Sequence, residues 1–122
     1  MKLIRDKIPM IMKQSNVKFE ARIADNDEYK ELLAKKMQEE VEEYMSDHSL
    51  EEAADIYEVF LSLLSLWGHD LHDVVTCADE KREDRGSFNE RVVLIKSDSY
   101  AAAASSSKAR YSSQLFGKPG SD

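Results

Sequence analysis

The sequence predicts an all-α fold: an antiparallel helical bundle, completed by oligomerisation, with a short strand near the N-terminus as an additional element. Apolar residues recur every three to four positions over residues 29–45, and residues 53–67 are apolar almost all round. Both patterns indicate helices, the second one buried on several sides. Only a short polar link, residues 47–49, separates the two stretches. Helices joined by so short a link must pack antiparallel.

The N-terminal part of the chain combines short elements with one long helix. Pro9 suits the first turn of a short helix over residues 9–14. Charged and apolar residues alternate over residues 18–23, which predicts a short strand. The first long helix follows, with Asp27 as its N-cap, and we expect it to end near Met45.

Two more helices are expected after the first long one. Ser49 and Glu52 have the spacing of a capping box, which predicts the start of the second long helix. Gly68 suits the end of that helix, and a third helix runs from Asp70 to just before Gly86. A helix that is apolar on all sides needs several packing partners, and one short chain offers few. We therefore expect the chain to form an oligomer.

Composition divides the chain into a domain and a tail. A length of 122 residues fits one domain, to which we assign residues 1–95. Residues 96–122 are rich in Ser and Ala and show little periodicity. We expect this tail to be flexible or to become ordered on a partner.

Charge and cysteine content restrict the partners and the compartment. The formal net charge is −7, and no basic run is longer than a pair. Nucleic-acid polymers are bound largely through clustered Lys and Arg, so this class of partner is not expected. The longest apolar stretch is too short to cross a bilayer, and the N-terminus lacks the pattern of a signal peptide. With Cys77 as its single cysteine, the chain is expected to be cytoplasmic.

Four carboxylates have a spacing that brings them together in such a bundle. Glu40 and Glu43 lie three residues apart beside the apolar stripe of the first long helix, and Glu52 and Asp55 have the same spacing in the second. Antiparallel packing about the short link places the two pairs opposite each other. Carboxylates at a half-buried seam repel one another, and a hard cation such as Mg²⁺, which prefers oxygen ligands, would neutralise them.

The same residues have a plainer interpretation. Glutamate-rich helix faces are usually solvated, and Glu52 would already serve the capping box of the second long helix. The spacing of the residues leaves both interpretations open.

Three segments carry a family resemblance. The carboxylates form E-E-x-x-E at residues 39–43 and E-x-x-D at residues 52–55, which resembles the signature of the MazG-type all-α nucleotide pyrophosphohydrolase superfamily. Residues 3–9 resemble the VRDKIP opening of one MazG-like subgroup. Residues 81–91 resemble the K…RGGF…R segment that ends its domain, with Ser87 in place of the second glycine.

This resemblance implies Mg²⁺-dependent cleavage of a nucleoside triphosphate to the monophosphate and pyrophosphate. It also implies that the active site is assembled in an oligomer, which we expect to be a homodimer or homotetramer. The superfamily includes house-cleaning NTP pyrophosphatases, phosphoribosyl-ATP pyrophosphohydrolases and dimeric dUTPases. The implied metal ligands are Glu40, Glu43, Glu52 and Asp55. The implied catalytic residues are Glu39 and Glu43. The candidates for binding substrate phosphates are Arg5, Lys7, Lys81, Arg85 and Arg91.

House-cleaning of non-standard nucleotides is the expected role within this superfamily. A pyrophosphohydrolase specific for phosphoribosyl-ATP or dUTP is the alternative that keeps the same chemistry. The alternative of a different class is a helical oligomerisation or regulatory module, in which the carboxylates bind metal without catalysis or face solvent.

Overall fold

All regular structure in residues 1–98, the part of the chain that the computed structural model describes, is helical. The helices are α1 (Ile8–Gln14), α2 (Asn26–Ser46), α3 (Leu50–Leu66) and α4 (Leu71–Arg85). The chain forms two compact units: Met1–Gly68, which contains α1 to α3, and a second unit that begins at His69 and contains α4. The predicted all-α class is confirmed.

The predicted strand over residues 18–23 is wrong. These residues have no regular structure, and no strand occurs anywhere in residues 1–98. An alternating pattern forms a strand only beside another strand that pairs its backbone groups, and an otherwise helical unit provides none. Ile23, at the end of the alternating pattern, is 94% exposed. The short helix before it agrees with the prediction, since Pro9 lies in the first turn of α1.

The N-cap of α2 differs from the predicted one. The carboxylate of Asp25 accepts a hydrogen bond from the backbone N–H of Glu28 at 2.9 Å, so Asp25 is the N-cap. Asp27 lies inside the first turn, where its negative charge interacts favourably with the helix dipole, but it is not the capping residue. The helix therefore begins earlier than the sequence pattern suggested, and it ends at Ser46, one residue beyond the expected end.

Ser49 caps α3, but the predicted capping box forms only in part. The Ser49 hydroxyl accepts a hydrogen bond from the backbone N–H of Glu52 at 3.2 Å. The backbone N–H of Ser49 donates to the carbonyl of Asp47 at 2.8 Å, so it does not use the Glu52 carboxylate. The Glu52 carboxylate therefore does not take part in this cap. Helix α3 ends before Gly68, whose φ of 74° is a conformation that glycine adopts at low cost.

Helices α2 and α3 pack against each other in antiparallel fashion. The ammonium of Lys30, near the start of α2, lies 5.4 Å from the ring centre of Trp67, just after α3. At the other end of the pair, Glu40 of α2 approaches Asp55 of α3. The buried apolar side chains of residues 1–98 are Leu33, Val59 and Leu64.

The expectation that the second long helix is buried on several sides is met only in part. Tyr57 is 51% exposed on α3, and Trp67, just after it, is 61% exposed. The oligomer inferred from this apolar helix therefore remains a prediction. None of the helices in residues 1–98 is long and apolar enough to span a membrane.

The second unit contains α4 and the segment after it. The Asp70 carboxylate caps α4 by accepting a hydrogen bond from the backbone N–H of His72 at 2.7 Å, as the predicted start requires. Gly86, with a φ of 81°, ends the helix. Residues 86–98 contain neither helix nor strand. Most of the predicted tail, residues 99–122, lies outside the described residues, and the boundary at residue 95 remains a prediction.

Candidate metal centre

Three of the four predicted metal ligands meet between α2 and α3. One carboxylate oxygen each of Glu40, Glu52 and Asp55 lies within 4.8 Å of the other two. Glu52 is in the first turn of α3, and Asp55 follows it by three residues on the same face. The close packing of α2 against α3 supplies Glu40 from the opposite side. We refer to these three residues as the carboxylate cluster.

Two oxygens of the carboxylate cluster are buried without a hydrogen bond. Glu40 is only 5% exposed, a degree of burial that is rare for glutamate. Its Oε2 and the Oε2 of Glu52 have no hydrogen-bond partner among the described residues. A buried oxygen without a hydrogen-bond partner destabilises the folded protein by about 1 to 3 kcal/mol, and by more when the group is charged. Carboxylate oxygens are the ligands that Mg²⁺ prefers, so the donor set and its unpaired oxygens fit a bound divalent cation.

Two basic side chains already contact the carboxylate cluster. The ammonium of Lys36 lies 3.1 Å from Oε1 of Glu40, one helical turn away on α2. The guanidinium of Arg5 donates a hydrogen bond from Nη2 to Oδ1 of Asp55 at 2.6 Å. Sequence reasoning included Arg5 among the phosphate-binding candidates but missed Lys36. Its position four residues before Glu40 is the helical ion-pair spacing that could have revealed it.

Burial dominates the electrostatics of Glu40. Removal from water raises the pKa of Glu40, the hydrogen bond and charge of Lys36 oppose this rise, and the neighbouring Glu43 adds to it. For Lys36, burial disfavours the ammonium, but Glu40 and Glu39 outweigh it and the pKa of Lys36 is raised. Lys36 therefore stays charged, while its charge offsets only part of the cost of burying the Glu40 carboxylate.

The two predicted catalytic residues lie beside the carboxylate cluster rather than within it. Glu43 is outside the set of three but close enough to affect the pKa of Glu40. Glu39 is paired with Lys36 at 3.5 Å and with Lys2 at 3.8 Å. An open depression next to the cluster is lined by Glu39, Glu42, Glu43, Ser46, Asp47 and Glu52.

The five predicted phosphate-binding residues are distributed over both units. Arg5 contacts the carboxylate cluster through Asp55. Lys7 is exposed and precedes α1. Lys81 and Arg85 lie on α4, and Arg91 follows that helix with a φ of 60°. These last three belong to the second unit.

Comparison with known proteins does not identify relatives. No family model matches the sequence, and no curated protein or solved structure matches it either. The family resemblance consequently depends on the three sequence segments and on the helical fold, and the candidate site depends on the chemistry of its own residues.

Proposed function

We propose that this protein is a Mg²⁺-dependent nucleoside triphosphate pyrophosphohydrolase that releases a nucleoside monophosphate and pyrophosphate. The observation that carries this proposal is the carboxylate cluster, in which two helices bring three carboxylates together and leave two buried oxygens unpaired. Such an arrangement is costly for a protein that binds no cation. The all-helical fold and the three MazG-like segments support the same reaction class.

In this proposal Glu40, Glu52 and Asp55 hold the metal, and Glu43 completes the set from the edge of the cluster. Bound Mg²⁺ would neutralise the carboxylates, bind phosphate oxygens and polarise an attacking water. Glu39 and Glu43 line the open depression and are the candidates to accept the proton of that water. The guanidinium of Arg5 is suited to bind a phosphate, since its fork of N–H groups matches phosphate oxygens.

The proposal includes a cytoplasmic homodimer or homotetramer that acts on non-standard nucleotides. The exposed aromatic side chains of Tyr57 and Trp67 support self-association, because a second chain would remove them from water. Light scattering tests this part, and a monomer at the protein concentrations used for activity measurements would contradict it.

A non-catalytic helical module is the second candidate, and one observation favours it. Arg5 and Lys36 pair with two of the three clustered carboxylates, so the cluster is partly compensated by the protein itself. In that case the cluster would stabilise the packing of α2 on α3 or bind a cation without hydrolysing anything.

Pyrophosphate release from a panel of ordinary and modified nucleoside triphosphates in the presence of Mg²⁺ separates the two candidates. We expect the parent protein to release pyrophosphate. The rate of release should fall by more than about a hundredfold in Glu40→Gln and Asp55→Asn, because even residues that only support a metal ligand contribute about 10- to 100-fold to metal affinity or activity. Glu51→Gln is the matched control: it removes one exposed carboxylate from the first turn of the same helix as Asp55.

The pattern of products distinguishes the alternatives. Release from a single nucleotide in the panel, such as dUTP, would indicate the narrow-specificity enzyme. Inorganic phosphate instead of pyrophosphate would contradict the proposed reaction. A folded protein that binds Mg²⁺ and releases nothing from any triphosphate, phosphoribosyl-ATP included, would favour the non-catalytic module.

A further inference from the structure

The two basic residues at the carboxylate cluster differ in how firmly they are held. The side chains of Lys36 and Glu40 are only 18% and 7% exposed, and both belong to α2. The side chains of Arg5 and Asp55 are 55% and 38% exposed, and 50 residues separate them along the chain. The Lys36 pair is therefore a fixed part of the helix, whereas solvent reaches both members of the Arg5 pair.

Arg5 engages one oxygen of the Asp55 carboxylate, the group with which Asp55 would bind a divalent cation. Its Nη2 lies 2.6 Å from Oδ1 of Asp55, which leaves no space for a cation at the same lone pair. A guanidinium and a divalent cation also repel each other at such a distance. Arg5 and a divalent cation therefore compete for the Asp55 carboxylate, and metal binding favours the release of Arg5 from it.

We propose that Arg5 is an exchangeable counter-ion, which holds Asp55 in the metal-free protein and passes to a substrate phosphate when a divalent cation takes Asp55. This inference rests on the proposed function, since the released guanidinium needs a phosphorylated ligand. The exchange keeps both Asp55 and Arg5 partnered at both stages. Without metal, Arg5 compensates Asp55; with metal and nucleotide, the metal compensates Asp55 and Arg5 binds phosphate oxygens through its planar fork.

The exchange predicts effects of opposite sign for one substitution. Arg5→Gln should bind Mn²⁺ about two- to fivefold more tightly than the parent, because the competing ion pair is gone and exposed pairs have about this strength. The same variant should bind a non-hydrolysable nucleoside triphosphate analogue, measured at saturating Mn²⁺, about tenfold more weakly, because a charged hydrogen bond to phosphate is lost. Arg5→Lys should lie between the parent and Arg5→Gln in both measurements, since lysine keeps the charge without the fork.

Arg22→Gln is the matched control. Arg22 forms an ion pair with Glu28 through two hydrogen bonds, also in the first unit, but Glu28 is not part of the carboxylate cluster. Its loss should change neither Mn²⁺ affinity nor nucleotide affinity. Isothermal titration calorimetry gives both constants for all four proteins, and circular dichroism verifies that each variant is helical.

Each outcome of the titrations decides the inference. Tighter Mn²⁺ binding combined with weaker nucleotide binding in Arg5→Gln supports it. Unchanged or weaker Mn²⁺ binding, no Mn²⁺ binding in any of the proteins, or unchanged nucleotide binding overturns it. The proposed function is tested separately, because a parent protein that releases no pyrophosphate, while its Arg5 variants show the opposed shifts, contradicts the enzyme and leaves the counter-ion exchange standing.

Discussion

Replacing Glu40 by Gln tests the link between the carboxylate cluster and a metal through stability alone. Glu40 is almost completely buried, and its Oε2 has no hydrogen-bond partner in the described part of the chain. Glutamine keeps the shape of the side chain and removes its charge. We expect Glu40→Gln to be more stable than the parent protein without metal, and to lose the stabilisation that Mg²⁺ gives the parent.

The expected gain follows from the charges around Glu40. The cluster oxygens lie within 4.8 Å of one another, and at that distance the charge of Glu52 repels that of Glu40 by about 0.9 kcal/mol in water and about 3.5 kcal/mol at an effective dielectric constant of about 20. At 3.1 Å, Lys36 attracts Glu40 by about 1.3 and about 5 kcal/mol under the same two conditions. These opposing contributions are of similar size, so the cost of burying the carboxylate, which raises the pKa of Glu40, remains. Removing that charge should stabilise the metal-free protein by about 1 kcal/mol, within the range of about 0.5 to 2 kcal/mol that single stabilising substitutions commonly give.

Thermal unfolding with and without Mg²⁺ measures both effects. A gain of 1 kcal/mol corresponds to a rise in Tm of about 4 to 8 °C for a domain of up to about 100 residues. At a Mg²⁺ concentration of about 100 times Kd, the parent should gain about 2.7 kcal/mol and Glu40→Gln nothing. The control Glu51→Gln, which removes an exposed charge, should behave like the parent. A Glu40→Gln protein that is less stable than the parent without metal, or that keeps the full Mg²⁺ effect, would refute the reasoning.

Three further predictions concern the fold of the first unit. Leu33→Ala should lower the unfolding free energy in urea by about 2 to 5 kcal/mol, because Leu33 is 4% exposed in the core, and a loss below about 0.5 kcal/mol would contradict that packing. Asp25→Ala should cost about 1 kcal/mol and Asp27→Ala clearly less, whereas equal losses in thermal unfolding would argue against Asp25 as the N-cap. Arg22→Gln should destabilise the protein at neutral pH, because Arg22 holds the pKa of Glu28 below its ordinary value of 4.5. The stabilisation that this ion pair provides is lost as the pH falls through the lowered pKa. A difference between parent and Arg22→Gln that stays constant from neutral to acid pH would contradict that pair.

The helices could be predicted because their signals are local. The three-to-four-residue spacing of apolar side chains located α2, and Ser49 and Asp70 gave the starts of α3 and α4 because each caps a helix through its own side chain. The absence of a strand over residues 18–23 could not be predicted from the local pattern. Alternation describes only one strand, and whether a neighbouring strand exists to pair with it is not a local property.

The candidate site was predictable to the extent that helical geometry controls it. Spacing within one helix places Glu52 and Asp55 on one face, and the short link to α2 brings Glu40 opposite them. Lys36 lies at the same kind of spacing from Glu40 and could have been found from it. No periodicity relates Arg5 to Asp55, since 50 residues separate them along the chain.

By itself, the sequence determined the helical class, the antiparallel pairing of the two long helices and the faces on which the acidic residues lie. Each of these follows from the fixed rise and rotation of a helix and from a link too short for any other arrangement. Only the tertiary structure decided that Glu40 is buried with an unpaired oxygen, that Glu43 lies beside the cluster instead of in it, and that Arg5 reaches Asp55. These features depend on how segments distant in sequence pack together and exclude water, which no local pattern of residues specifies.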